Sequence, residues 1–419
     1  MTPSDTKPFL PEQKSSRFYK WLDYLWVALL VILVAYSLDV YRSARYCAFL
    51  GTDFRGYYAS AQIARQRGFA EVYNPQTQEQ YQADLPHSCP DGSSAPPQLF
   101  VYMPYLPVFG LIFLPFTFLD FTNAYILWVT LNLTTLLVYL ARITHALGDK
   151  KRFVRILQWA LCLPIFSNLV LGQINILLLI CVGEFGLAAV RERHFLSGTW
   201  LGGFLMKPHI LILLLPGLIM RKNWVALLGF TCSAAVILLA STLLAGWEGV
   251  LSAVRLATQF LGALIQTGAT MMNLRALALN LETILPAWFA WSVAIIGISL
   301  VVGITLYLWT RRFPLSSVGF ITLIVASLAA TFAVTWHSHF YLLALLIPFL
   351  LILDLKQAIP PAWRWVWIAG PPLYYVLLYL LNPQQARNLF GLGMLALNLC
   401  LLAWATWKLN KLARHPERD

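Results

Sequence analysis

Long apolar segments recur along almost the entire chain and are separated by short polar breaks. Most are close to the ~20 residues that an α-helix needs to cross the hydrocarbon core of a membrane. About twelve segments are predicted, and they are Leu22–Tyr41, Tyr105–Leu119, Ala124–Leu147, Val154–Val170, Ile174–Val190, Leu196–Met220, Trp224–Ala245, Leu285–Thr310, Ser316–Thr335, Phe340–Leu355, Trp363–Leu381 and Leu389–Leu409.

This pattern predicts an all-α, polytopic membrane protein with about twelve transmembrane helices. Backbone groups in lipid must be hydrogen-bonded within the protein, so only helices and closed barrels cross a membrane. The short alternating strands of a barrel are absent from this sequence. Because apolar segments continue almost to the C-terminus, we predict one membrane-embedded domain over residues 1–419.

Three polar stretches interrupt or precede these segments. The arm at residues 1–21 is basic and too polar for a cleaved signal, so we expect it in the cytoplasm and the next loop outside. The first external loop, residues 42–101, is predicted to carry amphipathic helices at Tyr57–Gln66 and Gln76–Ala83 that lie on the membrane surface. The second long loop, residues 246–282, has a similar character and is expected to cover the first as a lid.

The basic clusters conflict with a simple up-and-down count of helices. Under the positive-inside rule all of them should be cytoplasmic, yet the pair Tyr105–Leu119 and Ala124–Leu147 would return Lys150 to the outside. Either one of these segments is re-entrant or broken, or the loop at Lys150 is external. Prolines at positions 104, 107, 115, 164, 208 and 216 favour broken helices. The clusters are Lys150-Lys151-Arg152, Arg191/Arg193, Arg221-Lys222, Arg311-Arg312 and Lys408/Lys411/Arg414.

The composition agrees with a membrane protein. Hydrophobic residues make up 59% of the chain and charged residues 11%, with a mean hydropathy of +0.67, whereas soluble domains carry about 25% charged residues. The net charge of +12 lies mainly in short loops and termini. It predicts contact with anionic lipids and not nucleic-acid binding.

The six cysteines give no sign of a metal site, because none has the spacing of a zinc motif. Those in apolar segments, Cys162, Cys181, Cys232 and Cys400, are expected to be packing residues. Cys47 and Cys89 both fall in the first external loop. There they either form a disulfide, if the compartment is oxidising, or remain free.

Some ionisable residues lie where hydrocarbon would not tolerate them without a partner. Lys207 is near the middle of its segment beside a helix-breaking proline, and an ammonium there would bind an anion such as phosphate. His337 and His339 lie at a helix junction and are either substrate-binding or structural. Asp39 is expected to be solvated or paired with an arginine. Glu184 is expected to pair with Arg191 or with another helix.

Two polar motifs are further candidates for binding. In Gly172-Gln173-Ile174-Asn175 the side-chain amides either bind a sugar or satisfy an open helix end. In Asn273-Leu274-Arg275 the guanidinium either clamps a phosphate or carboxylate or holds lipid headgroups. Both motifs fall at breaks between apolar runs or in a long loop.

The segment Gly51-Thr52-Asp53-Phe54-Arg55-Gly56-Tyr57-Tyr58 puts a carboxylate at the membrane surface. Asp53 can cap the helix predicted just after it, act as a general base, or do both. Arg55 either pairs with Asp53, which would lower its pKa and weaken it as a base, or holds a phosphate of the acceptor.

A series of motifs follows in a fixed order along the chain: Asp53-Phe54 with Tyr57-Tyr58, Gly68 to Tyr73, Tyr102-x-Pro104, Gly172-Gln173-x-Asn175, Gly198-x3-Gly202, Lys207-Pro208 and Asn273. In this order the motifs resemble glycosyltransferase family 87 of the GT-C superfamily, up to about Asn280. The resemblance implies a GT-C-type fold, with Asp53 as general base. Similar members are bacterial inner-membrane enzymes that use polyprenyl-phosphate sugars, and the best known are mannosyltransferases of phosphatidylinositol mannoside synthesis. The resemblance therefore implies a multi-pass protein of the bacterial inner membrane, with its active site facing the periplasm.

The chemistry that these residues permit agrees with that activity. One carboxylate suffices for a single displacement with inversion, and a polyprenyl phosphate leaves without an acid. Its charge needs cations or donors, which Lys207, Arg275, His337 or His339 can supply. Aromatic rings are expected to stack on the sugar, and the candidates are Tyr57, Tyr58, Tyr102 and Trp336.

The sequence has no Asp-x-Asp motif, so we expect neither a metal nor another cofactor. The expected partners are a polyprenyl-phosphate sugar donor, a lipid or glycan acceptor, and membrane lipids, without an obligate protein partner. The resemblance implies that the sugar is a hexose, mannose. The alternatives are a secondary transporter or flippase, which should show repeated halves, and a polysaccharide polymerase or ligase, which would place its large loop late in the chain.

Overall fold

The computed structural model describes residue 25 and residues 51–85, 101–149, 152–263, 268–311, 313–314, 317–381 and 386–414. Every regular element in these residues is helical, as predicted. The first apolar segment with Asp39, apart from Leu25, lies outside the described residues, as do Cys47 and Cys89.

The α-helices of two turns or more are α1 Thr52–Arg67, α2 Pro75–Ala83, α3 Phe121–Ala146, α4 Arg152–Ala160, α5 Leu163–Leu171, α6 Asn175–Val190, α7 His194–Leu201, α8 Leu214–Met220, α9 Trp224–Ala263, α10 Leu274–Leu281, α11 Ala287–Thr310, α12 Val318–Val334, α13 Ile347–Leu355, α14 Pro361–Leu381 and α15 Ala386–Arg414. Shorter pieces are a helical turn at Pro107–Gly110 and 3₁₀ helices at Phe69–Tyr73, Leu114–Phe118, Gly202–Met206, Pro208–Ile212, Gly268–Thr270 and Phe340–Leu346.

By length and composition, four helices of the described residues, α3, α9, α11 and α15, are long and apolar enough to cross a membrane. A fifth crossing is obtained if α4 and α5, which meet at 58°, count as one broken span. The predicted number of about twelve is not confirmed, because many apolar segments form shorter helices or are interrupted by proline and glycine.

The crossing helices end at two opposite faces of the protein. The site face contains the start of α3 and the start of α6, because the Trp128 indole of α3 donates to the Gly172 carbonyl just before α6. Further along, Arg142 of α3 pairs with Glu184 of α6, so the two helices run in parallel to the other face. Glu184 therefore pairs with another helix, which was one of its two predicted partners.

The segment Tyr105–Leu119, predicted as a crossing helix, does not cross. It consists of one helical turn and a 3₁₀ helix. The Tyr58 hydroxyl donates to the Leu119 carbonyl and Arg65 donates to the Thr117 carbonyl, so the segment is held against α1 at the site face. Prolines break it, and α3 then carries the chain to the opposite face.

Leu196–Met220 is also not a single crossing helix. It is a hairpin in which α7 and a 3₁₀ helix reach Lys207, and a second 3₁₀ helix and α8 lead back. Lys207 has φ −138° and ψ 72°, so the helix is broken at the residue before Pro208. Gly198 lies directly against the carbonyl of Ala226, which shows that the chain has returned beside the start of α7.

Several arginines lie at the helix ends away from the site, a region called the basic face below. Arg155 pairs with Asp149 and Asp354, and Arg364 also pairs with Asp354. Arg221 donates to the backbone carbonyls of Arg311 and Phe313. Because Tyr105–Leu119 does not form a single long helix, the described residues favour the first resolution of the conflict, a broken segment before α3.

α9 is kinked at Gly246, the first residue of the predicted second long loop, which has φ 70° and ψ 171°. Beyond the kink, Ala253 and Leu256 pack against Ile63 and Val72 of the first loop in a small separate apolar cluster. The two long loops therefore contact each other at the site face.

Candidate active site

Asp53 lies in the first turn of α1, which is held against the break between α5 and α6. The N–H of Gly51 donates to the Val170 carbonyl at 2.8 Å. The N-cap of α1 is Gly51, which has φ 62° and makes no side-chain cap bond, so Asp53 is not the capping residue. In the first turn its carboxylate faces the positive end of the helix dipole.

Gly172 permits this close approach. It ends α5 in the left-handed region at φ 69°, which favours glycine, and a Cβ at this position would lie 2.5 Å from the Cβ of Phe54. The carbonyls at the end of α5 are occupied by neighbouring side chains, because Tyr125 donates to Val170 and Trp128 donates to Gly172. The open helix end is thus satisfied without the amides of Gln173 and Asn175.

Those two amides bind Lys207 instead. Its ammonium donates to Gln173 Oε1 at 3.0 Å and to Asn175 Oδ1 at 2.9 Å. The ring of Tyr341 lies 5.4 Å from Nζ, within the range of a cation–π contact. Lys207 is buried, at 7% exposed. An ammonium has three donors, so the amide bonds leave one N–H for a substrate oxygen.

Gln173 joins Lys207 to Asp53. Its side-chain oxygen accepts from Lys207 and from the Tyr57 hydroxyl, at 3.2 Å for the latter. It also lies near the carboxylate of Asp53, whose pKa it lowers. The Tyr105 hydroxyl lies 3.3 Å from that of Tyr57. The structure therefore brings together Asp53, Tyr57, Gln173, Asn175 and Lys207.

The environment of Asp53 suits a general base. Burial raises the pKa of Asp53 to about 6, while the Lys207 ammonium and the hydrogen bond from Gln173 lower it. The side chain nevertheless keeps part of its surface accessible. A carboxylate with this pKa is ionised at neutral pH and is more basic than an ordinary aspartate.

Three histidines lie beside Lys207. The rings of His337 and His339 are 4.8 Å apart, and that of His209 lies 6.4 Å from His337. Burial above all holds the pKa of His337 well below its ordinary value and lowers the pKa of His339 to about 4. These two rings are therefore neutral near pH 7 and offer hydrogen bonds, not the charge that was one of their predicted roles. His209 was not among the predicted site residues, although its position after Lys207-Pro208 was a usable signal.

Arg275 adds a second cation next to the histidines. Its guanidinium stacks on the ring of Trp336 at 3.9 Å. Asn273 does not clamp a ligand, because its side chain accepts from the Ala276 N–H and donates to the Thr335 carbonyl. It fixes the loop after α12 to the start of α10 and so positions Arg275 opposite Trp336.

Several buried polar atoms around this loop have no hydrogen-bond partner among the described residues. They are Nε and Nη1 of Arg275, Nε2 of His209, Oγ1 of Thr335 and Oγ of Ser338. Buried polar groups are almost always satisfied, so this concentration indicates a place where a polar ligand binds. Most of these groups are donors or hydroxyls, which suits an anion.

Two predicted site residues lie elsewhere. Arg55 donates to the Gln82 carbonyl at 3.2 Å, and its guanidinium lies over the ring of Phe121. The cation that acts on the Asp53 carboxylate is Lys207, not Arg55. Tyr58 directs its hydroxyl to the Leu119 carbonyl. Both residues thus tie α1 to the neighbouring loop.

Among the residues that the structure describes, no group of three or more His, Cys, Asp or Glu side chains is arranged to hold a metal ion. The candidate site is built from one carboxylate, two cations, amides, phenols and neutral imidazoles.

The model of glycosyltransferase family 87 matches residues 102–335, more than half of the chain. The protein is a member of glycosyltransferase family 87. No curated protein and no solved structure matches the chain. The matched range includes Gln173, Asn175, Lys207 and Arg275, whereas Asp53 lies before it and is close enough to Lys207 and Gln173 for both to lower its pKa.

Membership of family 87 makes this protein a glycosyltransferase that uses a sugar donor and an acceptor. This excludes the transporter as its family activity. The several long apolar helices agree with a membrane protein. The candidate site lies where the two long loops meet the ends of long apolar helices.

Proposed function

We propose that this family 87 protein is an inverting hexosyltransferase that uses a polyprenyl-phosphate sugar, with mannose as the sugar. The acceptor is a hydroxyl of a lipid or glycan. The observation that carries the proposal is one carboxylate, Asp53, next to buried cations and unpartnered donors that suit a phosphate.

In the proposed reaction Asp53 takes the proton of the acceptor hydroxyl as its oxygen attacks the anomeric carbon. The bond from that carbon to the phosphate oxygen breaks, and the electron pair leaves with the polyprenyl phosphate. One base is enough for this single displacement, and the configuration at the anomeric carbon inverts.

The leaving phosphate gains charge as the bond breaks, so donors that are already in position stabilise the transition state. The third N–H of Lys207 and the unpartnered nitrogens of Arg275 are the proposed charged donors. The neutral imidazoles of His209, His337 and His339 line the same place and are proposed to donate hydrogen bonds.

The proposed location is the bacterial inner membrane, with the site facing the periplasm. The support is the basic face, since basic loops are retained in the cytoplasm and the site lies at the opposite face. A lipid-linked donor would reach the site from the bilayer, beside helices whose apolar side chains are exposed. Examples of such side chains are Leu131, Val138, Leu239 and Ile296.

The direct test is transfer of labelled sugar from polyprenyl-phosphate-mannose to endogenous lipids in membranes that contain the protein. Asp53→Asn keeps the size of the side chain and removes the base, so transfer should fall by about 10²- to 10⁴-fold. Asp84→Asn, at an exposed position at the end of α2, is the matched control and should retain activity. Equal transfer by Asp53→Asn would remove Asp53 from the chemistry, and no transfer by the unmodified protein would refute the proposed donor.

A further inference from the structure

We infer that Asn168 is a positioning residue that orients the Asn175 amide toward Lys207. The inference rests on the proposed function, because it assigns Lys207 to the donor phosphate. Asn168 is buried on α5, at 1% exposed, and nothing in its sequence context marks it as part of a site.

The first step concerns the Asn168 amide itself. Its nitrogen lies 2.7 Å from the Pro164 carbonyl oxygen and 2.9 Å from the Tyr341 carbonyl oxygen. Backbone carbonyls only accept hydrogen bonds, so both must face the amide nitrogen. The Asn168 oxygen is thereby forced to the other side, toward α6.

The second step transfers this orientation to Asn175. The Asn168 oxygen can only accept, so it faces the Asn175 nitrogen, which lies 2.7 Å away. The Asn175 oxygen is then turned toward Lys207 and accepts from its ammonium at 2.9 Å. The carbonyls of Pro164 and Tyr341 thus fix the orientation of the Asn168 amide, and through it they fix the Asn175 amide with its oxygen toward Lys207.

The hydrogen bonds that lead from the Tyr341 carbonyl through Asn168 and Asn175 to Lys207, called the relay below, also couple two parts of the site. Its start is the carbonyl of Tyr341, whose ring lies under Lys207 and whose segment follows the histidine loop. Its end is the cation proposed to hold the donor phosphate. If Asn168 were absent, the Asn175 amide could turn and present its nitrogen to Lys207, and the ammonium would lose an acceptor.

The test is binding of a short-chain polyprenyl phosphate to the purified full-length protein in lipid nanodiscs. Asn168→Leu should weaken binding by roughly tenfold or more, the effect of losing a hydrogen bond to a charged group. Asn398→Leu, which removes another buried amide bonded to a backbone carbonyl, controls for folding and should bind normally.

A double-mutant cycle separates orientation from general damage. In Lys207→Met, which already lacks the ammonium, adding Asn168→Leu should cause no further loss of binding, because the relay acts through Lys207. Additive losses would overturn the relay. Asn168→Asp, whose carboxyl when protonated can both donate and accept, should regain binding as the pH is lowered.

The outcomes distinguish the relay from the function on which it rests. If polyprenyl phosphate does not bind the unmodified protein, or binds Lys207→Met equally well, the proposed donor site fails. If Lys207→Met weakens binding and Asn168→Leu does not, only the relay fails.

Discussion

The carboxylate of Asp53 and the ammonium of Lys207 both lie close to the side-chain amide of Gln173. The amide oxygen accepts from the ammonium, and Lys207 and Gln173 both lower the pKa of the Asp53 carboxyl. The base and the cation are therefore close enough to influence each other, with Gln173 beside both. Asp53 keeps accessible surface for an acceptor, and Lys207 keeps one donor for a second ligand.

The pH dependence of transfer should follow Asp53. Burial raises the pKa of Asp53 to about 6, and the base works only when deprotonated. We expect kcat/KM to rise by about tenfold per pH unit below that value and to level off above it. The measurement is a pH profile at subsaturating substrate.

The same profile gives a sharper test in Lys207→Met. The Lys207 cation lowers the pKa of Asp53, so removing it should move the acid limb to higher pH as well as reduce activity. A lower rate with the acid side of the pH profile at the same pH as in the unmodified protein would show that Lys207 does not act on the pKa of Asp53.

Glycine substitutions should separate steric exclusion from backbone strain. Gly172 and Gly148 have nearly equal φ angles, 69° and 70°, but a Cβ at Gly172 would meet Phe54, whereas nothing lies within 4 Å of one at Gly148. Gly148→Ala should cost only the strain of the left-handed region, about 1 kcal/mol. Gly172→Ala should cost about 1–3 kcal/mol more and also reduce transfer. Apparent melting temperatures of the two purified variants make the comparison, and equal melting temperatures would contradict it.

Removing the guanidinium of Arg275 should raise the KM for the donor. The loss of charged hydrogen bonds to a phosphate predicts an increase of about tenfold or more for Arg275→Gln. Arg275→Lys should recover only part, because an ammonium cannot reproduce the flat stacking on Trp336. Arg255→Gln, at an exposed arginine paired with Glu248, is the control and should leave the KM unchanged.

Labelling from outside the cell should reveal the orientation. In a protein freed of its other cysteines, Glu79→Cys on the site face should react with a membrane-impermeant maleimide added to intact cells. Lys356→Cys on the basic face should react only after the membrane is opened, because basic loops remain in the cytoplasm. Both positions are exposed. The reverse pattern would refute the proposed periplasmic site.

The sequence predicted the all-helical character, and it made Lys207 a site candidate, for a simple reason. Hydrocarbon imposes strong rules on which residues it tolerates, and an ammonium in an apolar segment violates them unless it has partners. The amides of Gln173 and Asn175 were recognised as candidates, but their binding to Lys207 depends on packing between segments and has no local signal.

The sequence predicted which segments are helical better than it predicted which of them form long helices that could cross a membrane. Tyr105–Leu119 and Leu196–Met220 are as apolar as transmembrane helices. The first nevertheless stays at the site face, and the second turns back at Lys207. Hydropathy is equally high for segments that face lipid and for segments buried in the protein. It does not show whether a segment crosses the membrane or turns back. The proline positions did indicate the breaks.

Asn168 shows the remaining limit. The side chain of a single asparagine in an apolar helix often hydrogen-bonds only a carbonyl of its own helix, and Asn168 does make such a bond, to the Pro164 carbonyl. Its second carbonyl partner lies 173 residues further along the chain, at Tyr341. Only the folded arrangement of α5 against the segment after α12 identifies it.

The separation of basic residues to one face has a consequence for biogenesis. If the site face is periplasmic, as proposed, the short turns at 172–175 and 335–339 are translocated; they contain no lysine or arginine, and the hairpin at Lys207 carries a single one. The arginines of the site face are otherwise on the two long loops, and long loops are translocated largely regardless of their charge. In that orientation, each helical hairpin can insert through the translocon without a cluster of basic residues having to cross the bilayer.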